Sequence, residues 1–270
     1  MIVSVSRRTD IPYFFGKWFV QSLKQGEVKV KNPFNHGYER TVSLLRENVD
    51  AFVFWTRNPL PFIPVLDIID QMNIPYYFLI TINNYPDFLE PYSLELKSLK
   101  RTLQMLKYRI GESRIIWRYD PIIISPETPL SFHQHNFLEL IGLISPYSKK
   151  VIVSLIDMYP KVKKRFEKIG FKPLDIREEP EKLEELLVFL SRTAEDHAVK
   201  IQGCAEDLNG TKSIIKKGKC IDDSLINSIF SLKIKYKKDR GQRPGCWCQQ
   251  SVDIGQYGTC RFNCLYCYAL

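Results

Sequence analysis

Three cysteines near the C-terminus, Cys260, Cys264 and Cys267, are spaced C-x3-C-x2-C, with Tyr266 immediately before the last of them. The thiolate is the form of cysteine that binds metals, and three thiolates this close together can wrap three corners of an iron-sulfur cubane. A cluster held wholly by protein takes four cysteines, so three leave one iron open. An open iron can chelate a small molecule, just as catalytic metal sites keep a free position. A zinc ribbon on the same cysteines is the alternative, although structural zinc usually draws a C-x2-C pair plus a second pair elsewhere.

Cys204, Cys220, Cys246 and Cys248 remain once that segment is set aside. Four thiols are a complete ligand set for an auxiliary 4Fe-4S cluster or for tetrahedral zinc. Cys246-Trp247-Cys248, beside Gly245, offers two ligands from one turn. Isolated cysteines such as Cys220 also serve as small buried side chains, and both readings stay open.

The C-x3-C-x-aromatic-C pattern of Cys260 to Cys267 resembles the signature of the radical S-adenosylmethionine (SAM) superfamily. The resemblance implies a SAM-binding 4Fe-4S cluster on Cys260, Cys264 and Cys267, with Tyr266 at the cofactor. It also implies a 5′-deoxyadenosyl radical that abstracts hydrogen from a substrate, and a reductant such as flavodoxin or ferredoxin. In that superfamily the cysteine loop follows the first strand, whereas here it lies at the end of the sequence. A circular permutation reconciles the two and puts the strand starting at Ile2 where the usual second strand stands. The Gly-Gly-Glu that holds the SAM ammonium in the superfamily does not occur, and Arg7-Arg8-Thr9-Asp10 falls in its place. Asp10 can accept from an ammonium, and Arg7 or Arg8 can fork onto a carboxylate. A helix cap at Thr9 or Asp10 with surface ion pairs is the other reading of the same residues.

Nearly the whole chain also resembles an uncharacterised bacterial family of unknown function. The resemblance rests on Ser4-Val5-Ser6-Arg7-Arg8-Thr9-Asp10-Ile11-Pro12, Phe54-Trp55-Thr56, Trp117-Arg118-Tyr119-Asp120-Pro121 and Asp253-Ile254-Gly255. It brings no reaction with it.

The elements that must position these groups show as short runs rich in Val, Ile and aromatics at 2–6, 51–56, 76–82, 114–119, 151–156 and 199–203. Stretches of helical period lie between them at 92–110, 132–144 and 181–197, the last with Leu183, Leu186, Leu187 and Leu190 on one face. The alternation predicts an α/β fold, a partial (β/α) barrel of about six parallel strands. Residues 1–232 form this barrel, and the basic, cysteine-rich segment 233–270 packs on it as a loop closing over the C-terminal ends of the strands. Polar groups follow the runs: Arg57 and Asn58, Asn83 and Asn84, Arg118 and Asp120, Asp157, and Cys204 with Glu206 and Asp207. Arg118 and Asp120 are the candidate catalytic pair, because charged groups at a barrel mouth are seldom there for packing.

The chain has 270 residues, 44% of them apolar, and a net charge of +9. That size allows a sizeable core, and the charge suits anionic partners, nucleic acid being the largest class. Lys233 to Arg243 can follow a phosphate backbone, or form an edge strand guarded by charge in which Ile234 and Tyr236 alternate with lysines. A nucleic-acid or protein-binding module ordered by zinc is therefore the alternative to an enzyme. No apolar run approaches the roughly 20 residues of a membrane span, and the start of the chain does not read as a signal peptide, so the expectation is a cytoplasmic protein. The cysteines, without a secretion signal, suit metal binding rather than disulfides. His36, His133, His135 and His197 have no metal-ligand spacing, and no hydrolase or kinase motif appears.

Overall fold

In the computed structural model, residues 1–32, 38–206 and 215–270 are described; His36 and Asp207 lie outside them. The strands are β1 (Ile2–Val5), β2 (Glu27–Lys31), β3 (Glu39–Ser43), β4 (Ala51–Thr56), β5 (Tyr76–Thr81), β6 (Ile115–Ile122), β7 (Lys150–Leu155), β8 (Lys200–Gly203), β9 (Lys216–Lys217) and β10 (Ser251–Asp253). The helices are α1 (Ile11–Phe14), α2 (Gly16–Gln25), α3 (Leu66–Gln71), α4 (Leu96–Ile110), α5 (Leu130–Ile144), α6 (Pro160–Lys168), α7 (Pro180–Asp196) and α8 (Asp223–Phe230).

An eight-stranded sheet runs in the order β10-β1-β4-β5-β6-β7-β8-β9, and every pairing in it is parallel. The six runs read from sequence are β1, β4, β5, β6, β7 and β8, and they lie side by side in chain order. Two edge strands were not anticipated. β9 has two residues and β10 three, too few to show a hydrophobic period. β9 and β10 are the free edges, so the strand order does not close on itself.

Both faces of the strands are buried, as parallel sheets require. On one face Phe52, Phe54, Phe78, Trp117, Val151 and Val153 meet the apolar stripes of α2, α4, α5 and α7. The stripe of α4, Leu99, Leu103, Leu106 and Ile110, shows the helical period that its sequence promised. On the other face Ile2, Val53, Tyr77, Leu79, Ile116 and Ile152 pack with Ile226 of α8 and with Cys204, Cys220, Cys246 and Cys248.

The edge strand expected around Ile234 and Tyr236 does not form. The Asn227 side chain takes both backbone groups of Ile234, donating to its carbonyl at 2.9 Å and accepting from its N–H at 2.8 Å. Those groups are then lost to any ladder. Among the described residues no helix is long and apolar enough to cross a membrane.

Candidate functional site

Strand alternation aims the site. On β6, Ile116 packs on the face opposite Trp117 and Tyr119, and Arg118 follows Ile116 with the period of two that keeps residues on one face. At the C-terminal ends of the parallel strands this face opens into a cavity of about 440 Å³, within the roughly 300–1,000 Å³ of small-molecule sites. All seven cysteines line it.

The loop carrying Cys260, Cys264 and Cys267 is seated from several sides. The backbone N–H of Leu265 donates to Leu89 O at 3.0 Å, Arg165 Nε donates to Leu265 O at 2.9 Å, and Arg165 Nη2 donates to Cys267 O. Phe262 packs against Tyr13 and Phe14, with ring centroids 4.9 and 4.8 Å apart. Tyr268 donates through its hydroxyl to Arg7 O at 3.1 Å. The three thiols face the cavity together, and burial raises the pKa of all three, that of Cys264 to about 12.

Arg57, at the end of β4, reaches this loop. Its Nη1 donates to Cys264 Sγ at 3.2 Å, and its Nη2 donates to Glu90 Oε2 at 2.6 Å and to Ser93 Oγ at 3.0 Å. Glu90 is fully buried and also accepts from Asn83 Nδ2 at 3.1 Å and from the Tyr266 hydroxyl. Tyr266 is therefore tied into the wall beneath the loop. Glu90 carried no sequence signal, since it lies in a loop without apolar period, and nothing local marks a loop glutamate as buried.

At the end of β1, Asp253 of β10 gathers the turn. Its Oδ2 accepts from Ser4 Oγ at 2.7 Å and from Arg7 N at 2.8 Å, and its Oδ1 accepts from Ser6 Oγ at 2.6 Å and Gly255 N at 3.0 Å. A side chain at Gly255 would place its Cβ 1.8 Å from Ser6 Oγ, so this approach requires glycine. Arg7 also pairs with Asp239, and Arg8 lies over the Tyr257 ring at 5.0 Å while lining the cavity. Asp10 caps α1, accepting from Tyr13 N at 2.9 Å, and it accepts further from Thr56 Oγ1 at 3.0 Å and Arg57 N at 2.8 Å. The helix-cap reading of Asp10 thus has a direct geometric basis. Burial raises its carboxyl to about 7 against the opposing pull of these donors.

Arg118 and Asp120 form an ion pair at the cavity wall, with Arg118 Nη1 donating to Thr81 Oγ1 at 3.1 Å and its guanidinium 4.8 Å from the Trp55 ring centroid. Asp120 also accepts from Ser154 Oγ. Trp55 Nε1, Arg57 Nε and Arg118 Nε are buried donors without a partner among the described residues, and all three residues line the cavity.

Behind Arg118 the other four cysteines converge. Cys220 Sγ donates to Cys204 Sγ at 3.4 Å; Cys204 also interacts with Cys246 and Cys248, and Cys248 with Cys220 and Cys246. Interaction with the three neighbouring thiols favours the thiolate of Cys248 and holds its pKa well below the usual thiol range. Among the described residues no group of three or more His, Cys, Asp or Glu side chains is placed so as to hold a metal ion. His133 is a core residue bonded to Tyr119 and Ile123. The basic segment before Cys246 is tied to the rim by the Arg243–Asp157 pair and braced internally by Lys238 Nζ donating to Pro244 O at 2.7 Å.

Residues 2–269 match the family model described as a domain of unknown function, DUF1848. A search of curated proteins gives no match. Two solved structures of the pneumococcal exo-β-D-N-acetylglucosaminidase StrH, one concerning its tandem GH20 catalytic modules and one N-glycan recognition and hydrolysis, are similar at 8% identity and a TM-score of 0.30. They cover 92% and 90% of this chain and 69% and 67% of their own. A likeness that weak carries no argument. The family match spans nearly the full length, and the chain belongs to the DUF1848 family.

Proposed function

We propose that this member of the DUF1848 family is an iron-sulfur enzyme of the radical SAM type, with a cluster on Cys260, Cys264 and Cys267. The observation that carries the reading is the shared cavity at the C-terminal ends of the parallel strands, which those three cysteines line together with Arg8, Arg118 and Asp120. Bound there, a reduced 4Fe-4S cluster with one iron free of protein would supply the electron that cleaves SAM to methionine and a hydrogen-abstracting 5′-deoxyadenosyl radical.

The residues present suit that group. Three soft sulfur donors line the cavity, and buried N–H donors of Trp55, Arg57 and Arg118 beside it have no partner among the described residues, as an acceptor-rich anionic guest would require. Arg57 donates to Cys264 Sγ, the kind of hydrogen bond that tunes a cluster's potential. Arg8 offers a fork for a carboxylate from the rim. The strand order supports the permutation: β10 leads into the cysteine loop and pairs in parallel with β1, the arrangement expected if β1 stands for the second strand. A partial barrel suits the contact of Cys204 and Cys248, which belong to segments near opposite ends of the strand order. The substrate is set by the pocket walls and not by the cluster.

Anaerobic reconstitution with iron and sulfide tests this. A brown protein is expected, with a 4Fe-4S electron paramagnetic resonance signal that SAM perturbs and 5′-deoxyadenosine formed when a flavodoxin-type or chemical reductant is added. Replacing Cys260, Cys264 and Cys267 together with Ala should remove that signal and the product. Zinc at these cysteines with no iron after reconstitution would defeat the reading.

A further inference from the structure

We infer that Cys204, Cys220, Cys246 and Cys248 form a second metal centre that holds a single zinc ion. This stands apart from the reading given to Cys260, Cys264 and Cys267, because it uses none of their thiols.

The four sulfurs come from three separate parts of the chain: the end of β8, the segment before α8, and the turn before β10. All four residues are buried, and their thiols meet one another rather than apolar neighbours alone. Scattered structural cysteines have no reason to converge sulfur to sulfur. A core position needs a small apolar side chain, and nothing in packing aims four thiols at one point.

Sulfur spacing chooses among metals. Four thiolates about 2.3 Å from one tetrahedral ion stand about 3.8 Å apart, whereas thiolates on separate corners of a cubane are spread wider. Cys204 and Cys220 have their sulfurs 3.4 Å apart, and Cys246 and Cys248 lie in the same buried cluster and line the same cavity. That compactness fits one ion. The donors are not at coordinating geometry, and binding requires loss of the S–H protons and movement of the thiols towards the ion. A tetrahedral set of four sulfurs without a redox requirement is the donor set of structural zinc.

The position gives the ion a task. Cys248 lies three residues before β10, and β10 leads into the loop of Cys260, Cys264 and Cys267. An ion shared with Cys204 would clamp this C-terminal segment to the sheet beyond β8. It would hold β10 in register on β1 without taking part in the chemistry of the cavity.

The test uses the full chain with Cys260, Cys264 and Cys267 all replaced by Ala, so that failure of the cluster reading cannot affect it. Stripped of metal and titrated with Co²⁺ under reducing conditions, this variant is expected to bind one equivalent, with the charge-transfer and d–d absorption of tetrahedral tetrathiolate cobalt. One equivalent of Zn²⁺ should bleach the absorption. Adding Cys204→Ser or Cys248→Ser should weaken cobalt binding at least a hundredfold with the far-ultraviolet circular dichroism retained. If either added variant fails to fold, the cobalt stoichiometry and tetrathiolate spectrum of the parent still decide. No saturable cobalt binding by the folded parent would overturn the inference. Uptake of about four irons with sulfide at these cysteines, in place of one zinc, would overturn it as well.

Discussion

Arg57 donates to Cys264 Sγ at 3.2 Å through Nη1 while the other end of the same guanidinium holds the fully buried Glu90 at 2.6 Å. One cation therefore couples the cysteine loop to a carboxylate with no contact to water. Removing one partner of a buried pair leaves an uncompensated charge, which costs about 3–5 kcal/mol. Arg57→Met should lower the thermal midpoint by roughly 6 °C or more, at about 2–4 °C per kcal/mol for a chain of this size. Adding Glu90→Gln should restore most of the loss, because the amide keeps an acceptor for Tyr266 without the charge. Equal midpoints for Arg57→Met and the native chain in calorimetry would show that the pair contributes nothing.

Arg8 and Asp10 lie two residues apart and should respond differently. Arg8 lines the cavity, and a charge-assisted bond to SAM is worth roughly 1.5–3 kcal/mol, so Arg8→Ala should weaken SAM binding by about ten- to a hundredfold. Asp10 caps α1 and holds Thr56 and Arg57, so Asp10→Ala should chiefly lower the thermal midpoint. Titration of SAM into each reduced, cluster-loaded variant, followed by electron paramagnetic resonance, separates the two. Unchanged affinity in Arg8→Ala would remove Arg8 from the SAM site.

His133 is buried, and loss of solvation lowers its pKa to about 4. A depressed folded-state value favours the neutral ring, so its contribution to stability is present above pH 6.5 and is lost as pH falls towards 4. The contribution is about 3 kcal/mol at neutral pH relative to the acid limit. His133→Gln should flatten the stability profile between these pH values in urea titrations at several pH settings. A profile as steep as that of the native chain would assign the acid loss to other groups.

Gly255→Ala would bring a Cβ within 1.8 Å of Ser6 Oγ and 3.1 Å of Thr9 Cγ2, both in the turn between β1 and α1. Overpacking of this kind costs about 1–3 kcal/mol and sometimes more, and here it would push β10 off β1. A lower midpoint is expected, with partial rescue by Ser6→Gly. Native-like melting of Gly255→Ala would mean that the two turns have room to separate.

The amino-acid order by itself determined the six strands β1, β4, β5, β6, β7 and β8, because each carries its own apolar run, and the three long helices α4, α5 and α7, because their stripes repeat within a few turns. It also determined the spacing of Cys260, Cys264 and Cys267, a property of eight consecutive residues. Tertiary structure alone decided what depends on which segments become neighbours. The burial of Glu90, the stapling of Ser4 and Ser6 by Asp253, and the meeting of Cys204, Cys220, Cys246 and Cys248 all join residues remote in the chain. The run around Ile234 shows the same limit from the other side: its strand-like alternation was overridden when Asn227 took its backbone groups. Periodicity records which face of an element is apolar, but strand order and loop closure fix which faces and ends meet, and those are set by the free energy of the whole fold.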